Sequence, residues 1–513
     1  MKNRTKILSL ILACVLLTLS LASCAAKNMS PEDAGPTNQA PSYSDPGATP
    51  ERGEDEGADR PTGPDNPFIS TDVQNVSTFS ADVDTASYTY FRKLVNAGYN
   101  LTALQNASSA FRTEEFINYF RYSVPTPNEG ELFGTNMTLT PCPWNSENLL
   151  LRISLQAETT VNTAGNNLVF LIDVSGSMNS SEKLGLLQST FSYLVGNLGA
   201  NDVISIVTYS GREAVVLDGC PGAESERIMN AINSLRASGS TNGEAGLSEA
   251  YRIAESHFIE GGNNRIIMAS DGDLNVGISS EDELKRFIEG KRDAGIYLSV
   301  LGFGSGNYRD AKMEALADNG NGVYYYIDGV SEAERVFGTD LLGTLYTVGE
   351  DVKLQLTFNK ELVESYRLIG YENRLLNQED FEDDTKDAGE VGAGHQVTVC
   401  YELCMKEIAV ADGEQQSPST ALATLAVRYK KPGEAISLLN EYPIDTSLFG
   451  EVNADTQFIS CVIRACMILR GSQYAGEDML EAIVEDLRAL DLTAYPDRTE
   501  FLTLLEKLIQ ADT

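Results

Sequence analysis

The period at which apolar residues recur changes several times along the chain, and each change announces a different kind of element. Residues 7–21 are an unbroken apolar run behind Lys2, Arg4 and Lys6, and residues 25–67 then carry almost no bulky apolar side chain. In TASYTYFRKLVNAGY and RTEEFINYF the apolar positions return at helical spacing; in the second, Phe116, Tyr119 and Phe120 fall on one side. Between residues 131 and 158 short alternating runs take over, NLLLRISLQAE among them, and these predict strands.

A third grammar holds over residues 166–348. Runs that are apolar throughout (LVFLI, VISIVTY, RIIMAS, IYLSVLGF, VYYYI) alternate with amphipathic segments. One such segment repeats Leu184, Leu187, Phe191, Leu194 and Leu198; another repeats Leu247, Ala250, Tyr251, Ala254 and Phe258. Strands apolar on both faces need helices on both sides, so the pattern predicts a doubly wound, Rossmann-like α/β domain built on a parallel sheet. Such sheets bind ligands at the carboxyl ends of their strands. After residue 348 strands follow one another without helices: DVKLQLTF, SYRLIGYE, HQVTVCYELCM and TALATLAVRYK. These are expected to join the earlier strands in one β-sandwich into which the α/β domain is inserted. The tail is helical again, with Phe458, Val462, Cys466 and Leu469 on one face. The expected order is an N-terminal helical region (71–130), first sandwich strands (131–165), the α/β domain (166–348), second sandwich strands (349–432) and a C-terminal helical region (449–513).

The leading segments are an address and a spacer. A cationic start, an apolar run and a small-residue end make an export signal. Its last residues, LASC, resemble a bacterial lipobox, which implies that residues 1–23 are a lipoprotein signal peptide and that Cys24 is lipidated. Residues 24–70, rich in Pro, Gly, Ser and acids, cannot bury a core and are expected to be a disordered tether, about 35 Å in average span. The protein is thus expected to be exported and anchored by lipid to the extracytoplasmic face of the cell membrane. With 38 Lys+Arg against 74 Asp+Glu, the formal net charge is −36. No basic stripe exists to neutralise phosphates, which argues against a nucleic-acid partner. Beyond Cys14 and Cys24, the six cysteines (Cys142, Cys220, Cys400, Cys404, Cys461, Cys466) have the spacing of neither a disulfide framework nor a zinc knuckle.

The chemistry gathers where a buried strand should turn into a helix. FLIDVSGSMNSS puts Asp173, Ser175 and Ser177 at alternating positions just past an apolar run. One carboxylate and two hydroxyls are hard oxygen donors, suited to Mg²⁺, Mn²⁺ or Ca²⁺ and not to zinc or copper. The same α/β pattern supplies two more strand-end loops: ASGSTNGEAG brings Thr241 and RIIMASDGD brings Asp271. The competing reading of DVSGS, a plain helix cap, leaves Thr241 and Asp271 unexplained.

These five residues resemble, position by position, the metal-ion-dependent adhesion site of von Willebrand factor type A (VWA) domains. The resemblance implies one divalent ion, Mg²⁺ as the first expectation with Mn²⁺ or Ca²⁺ as alternatives, and a coordination position completed by an Asp or Glu of a protein partner. It also extends beyond the domain. STFSADVDTASY, RTEEFINYF, EGGNNRIIMASDGDLNVG and RLIGYENRLLNQEDF resemble a bacterial lipoprotein family, YfbK-like, whose members carry a VWA domain between their own N- and C-terminal regions. Ser270 stands where that family usually has Thr. The expected function is partner binding through the ion, not catalysis; the alternatives are an envelope scaffold with a structural ion and, more weakly, a metal-dependent hydrolase. DGDLNVG fits an EF-hand poorly, because Gly falls at position 7 and position 12 is Asp282. SADVDTAS reads as a helix cap. With His257 and His395 as the only histidines, and no GxSxG or Walker loop, nothing marks a hydrolytic site.

Overall fold

The computed structural model describes residues 65–511, apart from residues 109–110, 160–163, 212, 240–242, 273–280, 305–309, 407–420, 451 and 477–478. The expected signal peptide, Cys24 and residues 24–64 of the expected tether lie outside the described residues; its last residues, 65–70, are not a free tether, because Asn66 is buried and donates to Leu368 O and Gly370 O and Ile69–Ser70 pairs with residues 365–366.

Two short strands, β1 (Ile69–Ser70) and β2 (Val76–Ser80), precede helices α1 (Ala86–Asn96), α2 (Leu101–Asn106) and α3 (Thr113–Tyr119). A hairpin of β3 (Phe133–Cys142) and β4 (Asn145–Ala157) follows. The α/β domain then runs β5 (Asn166–Asp173), α4 (Leu186–Val195), β6 (Val203–Tyr209), β7 (Ala214–Pro221), α5 (Ser225–Ser234) and α6 (Gly243–Ser256). It continues with β8 (Asn263–Ser270), α7 (Glu281–Arg292), β9 (Tyr297–Phe303), α8 (Asp310–Asn319), β10 (Tyr324–Ile327), α9 (Val330–Glu334) and α10 (Leu341–Leu345). Its strands lie in the order β10-β9-β8-β5-β6-β7, parallel except for the antiparallel edge pair β6–β7. The edge strand β7 escapes the sequence pattern for a physical reason. Only Leu217 and Cys220 are buried, Val215 and Val216 are both exposed, and the pairing with β6 shifts register twice, so neither a continuous nor an alternating apolar run marks it.

Strands β11 (Thr347–Phe358), β12 (Val363–Ile369), β13 (Gly389–Gly392), β14 (Gln396–Met405), β15 (Ala421–Lys430) and β16 (Leu438–Asp445) complete the sandwich. One sheet has the order β1-β12-β14-β4-β3, the other β13-β11-β15-β16 with β2 also paired to β11. The insertion is explicit in the register: β4, before the α/β domain, pairs with β14, after it, from Leu149 opposite Leu403 to Gln156 opposite Gln396. Helices α11 (Ala454–Arg470), α12 (Leu480–Arg488) and α13 (Pro496–Ala511) share one apolar core with α1–α3, and that core rests on Leu150, Ile369 and Cys400 of the sandwich. Helix α11 begins at Asn453, whose side chain accepts from Thr456 N, and ends at Gly471 in the left-handed region.

Among the described residues, no helix is long and apolar enough to cross a membrane. The six described cysteines are free thiols, and all but Cys404 are buried.

The N-terminal motif departs from its expected role. Thr85 makes no side-chain cap on α1. Instead Glu115 Oε2, from α3, accepts from Ser87 N at 2.7 Å, while Asp84 Oδ1 accepts from Tyr324 N at 2.9 Å. Asp82 and Asp84 are buried and face Arg374 at 3.1 and 3.5 Å, in a charge network that joins three parts of the molecule.

Candidate metal centre

Every residue of β5 is buried, and the strand delivers Asp173 at its carboxyl end between β6 and β8. Asp173 Oδ1 accepts from Ser175 N at 2.8 Å, a local turn that bends the chain toward the short 3-10 segment Gly176–Met178. Ser175 Oγ and Ser177 Oγ lie 2.9 Å apart, with Ser175 buried and Ser177 exposed. The alternate spacing thus gathers the two hydroxyls beside the carboxylate, one wall of the site buried and the other open.

Asp271 follows β8, the strand next to β5, where Ile172 stands opposite Ala269. Its carboxylate and that of Asp173 interact electrostatically. Burial pushes the Asp173 carboxyl up to about 6; Ser175 opposes this and the Asp271 charge adds to it. Thr241 lies outside the described residues. The loop before it is bonded to the first loop: Gly176 N donates to Gly239 O at 3.0 Å and Ser238 N to Val174 O at 2.7 Å. Asp273 and Asn275 also lie outside the described residues.

The donor chemistry fits a hard divalent ion. Asp173 Oδ2 is buried and makes no well-formed hydrogen bond among the described residues, although the buried Tyr209 hydroxyl lies close enough to act on the carboxylate. An orphaned buried carboxylate oxygen is costly, and a cation is one way to satisfy it. If bound there, such an ion would act as a Lewis acid toward an incoming oxygen ligand.

One residue at the site had no signal in the sequence. Lys183, in the turn of helix Ser181–Gly185 that precedes α4, places Nζ 2.8 Å from Asp271 Oδ2. Its stem lies across Gly304, past the end of β9; a Cβ on Gly304 would come 2.3 Å from Lys183 Cε. The ammonium therefore neutralises Asp271 and competes with any cation there. Lys183→Met is expected to tighten Mg²⁺ and Mn²⁺ binding roughly 10- to 100-fold, since a charge-assisted hydrogen bond of ~1.5–3 kcal/mol no longer has to be displaced. Calorimetric titration checks it; unchanged or weaker affinity would show that Lys183 does not oppose the ion.

The two histidines lie elsewhere in the fold. His257 Nε2 is 2.7 Å from Asp218 Oδ1, and His395, pushed down to about 4 by burial first and by Arg121 next, is buried against Tyr325.

Comparison with known proteins agrees with this architecture. Residues 167–338 match the von Willebrand factor type A domain, residues 343–510 match the C-terminal region of YfbK, and residues 61–152 match a model described as von Willebrand factor. The Escherichia coli (strain K12) protein YfbK is 38% identical over 465 residues, 86% of this chain and 79% of that one. Human inter-alpha-trypsin inhibitor heavy chain H3 is 27% identical over 48% of this chain, and the match spans 29% of its own length. Among solved structures, a von Willebrand factor type A protein from Catenulispora acidiphila aligns over 77% of this chain and 89% of its own, at 16% identity and a TM-score of 0.41. A mussel byssus matrix protein with a zinc-occupied MIDAS motif aligns over 37% of this chain and 46% of its own, at 20% identity and a TM-score of 0.29. By its VWA domain, its C-terminal region and its identity to YfbK over most of its length, the chain belongs to the YfbK-like family of VWA-domain proteins.

Proposed function

We propose that this protein is an extracytoplasmic, Cys24-lipidated VWA protein that captures a protein partner through a divalent ion. Asp173, Ser175, Ser177, Thr241 and Asp271 hold that ion, Mg²⁺ first and Mn²⁺ or Ca²⁺ as alternatives. An Asp or Glu of the partner completes its coordination, and no catalytic step is involved. The observation that carries the reading is the buried Oδ2 of Asp173, which makes no well-formed hydrogen bond among the described residues, at the carboxyl edge of the sheet beside a second carboxylate and two hydroxyls. Two carboxylates and three neutral hydroxyls balance a divalent charge without quenching it, so the ion retains its attraction for an outside carboxylate. Residues 1–23 as signal peptide and 24–70 as spacer would set the domain off from the membrane that holds it.

The test is capture of envelope proteins on the immobilised protein in Mg²⁺, in EDTA and with Asp173→Ala, alongside calorimetric titration with Mg²⁺. Expected are a loss of Mg²⁺ affinity of roughly 100-fold or more in Asp173→Ala and a captured partner that is lost in EDTA and in the variant. Capture that persists unchanged in both would instead favour a scaffold whose ion is structural.

A further inference from the structure

A second group of carboxylates stands far along the chain from the VWA site, where the sandwich meets the α/β domain. Strand β11 breaks register with β13 between Gly349 and Val352, and Asp351 sits in that break. One carboxylate oxygen from each of Asp351, Asp387 and Glu390 lies within 4.8 Å of the others. Two of the three have cationic partners. Asp351 Oδ2 accepts from Lys430 Nζ at 2.6 Å and its Oδ1 from Ala388 N at 3.0 Å; Asp387 Oδ2 accepts from Arg292, at the end of α7, at 2.9 Å.

Glu390 differs. It is 8% exposed, and its Oε1 has no hydrogen-bond partner among the described residues although it belongs to the group. Burial, then the charges of Asp387 and Asp351, hold its carboxyl well above the usual carboxylate range. Arg265 feels the Glu390 charge but donates to Ser299 Oγ at 2.7 Å and Thr347 Oγ1 at 3.0 Å. Glu350, the next acid along β11, is engaged by Tyr297. Lys430 and Arg292 bond two of the three carboxylates, and the third, Glu390, keeps a buried oxygen without a hydrogen-bond partner among the described residues. A charge in that position is sustained only by a proton or by a cation.

We propose that Asp351, Asp387 and Glu390 form a second divalent-cation site, selective for Ca²⁺, that ties β11 to the segment entering β13 at the edge of the sandwich. Oxygen-only ligands exclude soft metals. Carboxylates up to 4.8 Å apart can share an ion held at about 2.3–2.6 Å, and the half-exposed Asp387 leaves room for the waters that Ca²⁺ takes to reach six to eight ligands. The site is independent of the ion at Asp173.

The experiment is calorimetric titration of the full chain, stripped with EDTA and dialysed, with CaCl₂. It is run in an Asp173→Ala background that disables the VWA site, then with Glu390→Gln or Asp387→Asn added. Expected is one Ca²⁺ per chain in Asp173→Ala, accompanied by a rise in unfolding temperature, and loss of that ion or at least 100-fold weaker binding in each double variant. No Ca²⁺ bound by Asp173→Ala, as a merely protonated Glu390 would give, or double variants that bind as well as Asp173→Ala, would overturn the proposal. Asp387 is half-exposed, so its substitution is the milder one and that arm decides the question even where Glu390→Gln fails to fold.

Discussion

Arg374→Met is expected to lower the stability of the chain by about 3–5 kcal/mol at pH 7, because it removes one partner from a buried ionic network and leaves the others unpaired. The guanidinium reaches Asp82 at 3.1 Å, Glu314 at 3.2 Å, Asp318 at 2.8 Å and Asp84 at 3.5 Å. Asp82 and Asp84 come from the N-terminal segment, Glu314 and Asp318 from α8 of the VWA domain, and Arg374 itself from the turn after β12 of the sandwich. Arg112 assists at Glu314, 2.5 Å away, and at Glu115, 2.9 Å away. Two guanidiniums thus serve five carboxylates. Burial already holds Asp84 and Glu314 well above the usual carboxylate range, so little margin remains for losing a cation. The loss should shrink at pH 5, where protonated carboxyls need no counter-charge. Urea unfolding at pH 5 and 7 measures it; an effect below about 1 kcal/mol at pH 7 would mean that the network is solvated. The exposed pair Lys285–Glu289, 3.7 Å apart, serves as control, since Lys285→Met should cost no more than ~0.5 kcal/mol.

This network shows what the sequence could and could not disclose. Periodicity was enough for the α/β core, because strands buried on both faces write unbroken apolar runs. The strand-end position of Asp173 followed directly, since the run stops at the carboxylate. Periodicity could not reveal β7, whose broken register leaves only Leu217 and Cys220 buried, or β2, whose five residues VSTFS are all buried yet mix Ser and Thr with Val and Phe. Nor could it assign Asp82 and Asp84. An acidic residue before a helix looks like a cap whether it caps or pairs with an arginine almost 300 positions later. The motifs STFSADVDTASY, RTEEFINYF and RLIGYENRLLNQEDF carried the family resemblance without disclosing why they belong together. In the fold they meet: Asp82, Glu115 and Arg374 belong to one buried network. Lys183 was equally silent, because a lysine in a polar stretch is normally solvent-facing; only the fold brings Asp271 to its ammonium and Gly304 beneath its stem.

The chain is expected to lose stability as pH rises from 5 to 9, and Glu114→Gln is expected to remove much of that slope. Glu114, on α3, is fully buried, and neither carboxyl oxygen makes a well-formed hydrogen bond among the described residues, although the backbone amides of Tyr371 and of Glu114 itself lie close enough to hold its titration down somewhat. It packs against Gly370, where a Cβ would come 2.6 Å from Oε2 and 2.9 Å from Glu114 N, so the bare glycine is what admits the side chain. Burial, then the charges of Glu372 and Asp82, raise its carboxyl to about 8 from an ordinary 4.5. The Arg470 guanidinium near this pair is bonded at 3.0 Å to Glu372 and not to Glu114. A group titrating higher in the fold than in the unfolded chain binds its proton more tightly when folded. Its contribution is therefore complete below pH 4.5 and is lost as pH passes through 8, a change on the order of 5 kcal/mol. Glutamine imitates the neutral acid and cannot ionise. The variant should match the parent within about 1 kcal/mol at pH 5 and exceed it by several kcal/mol at pH 9. Asp84 and Glu314 titrate with the same sign in both proteins, so the difference between the two curves reports Glu114 together with Glu372, the carboxyl whose charge acts on it most. Urea midpoints at pH 5, 7 and 9 decide it: curves that fall in parallel would mean that Glu114 is ionised in the fold throughout, and the buried face of α3 would then have to contain a cation that balances it.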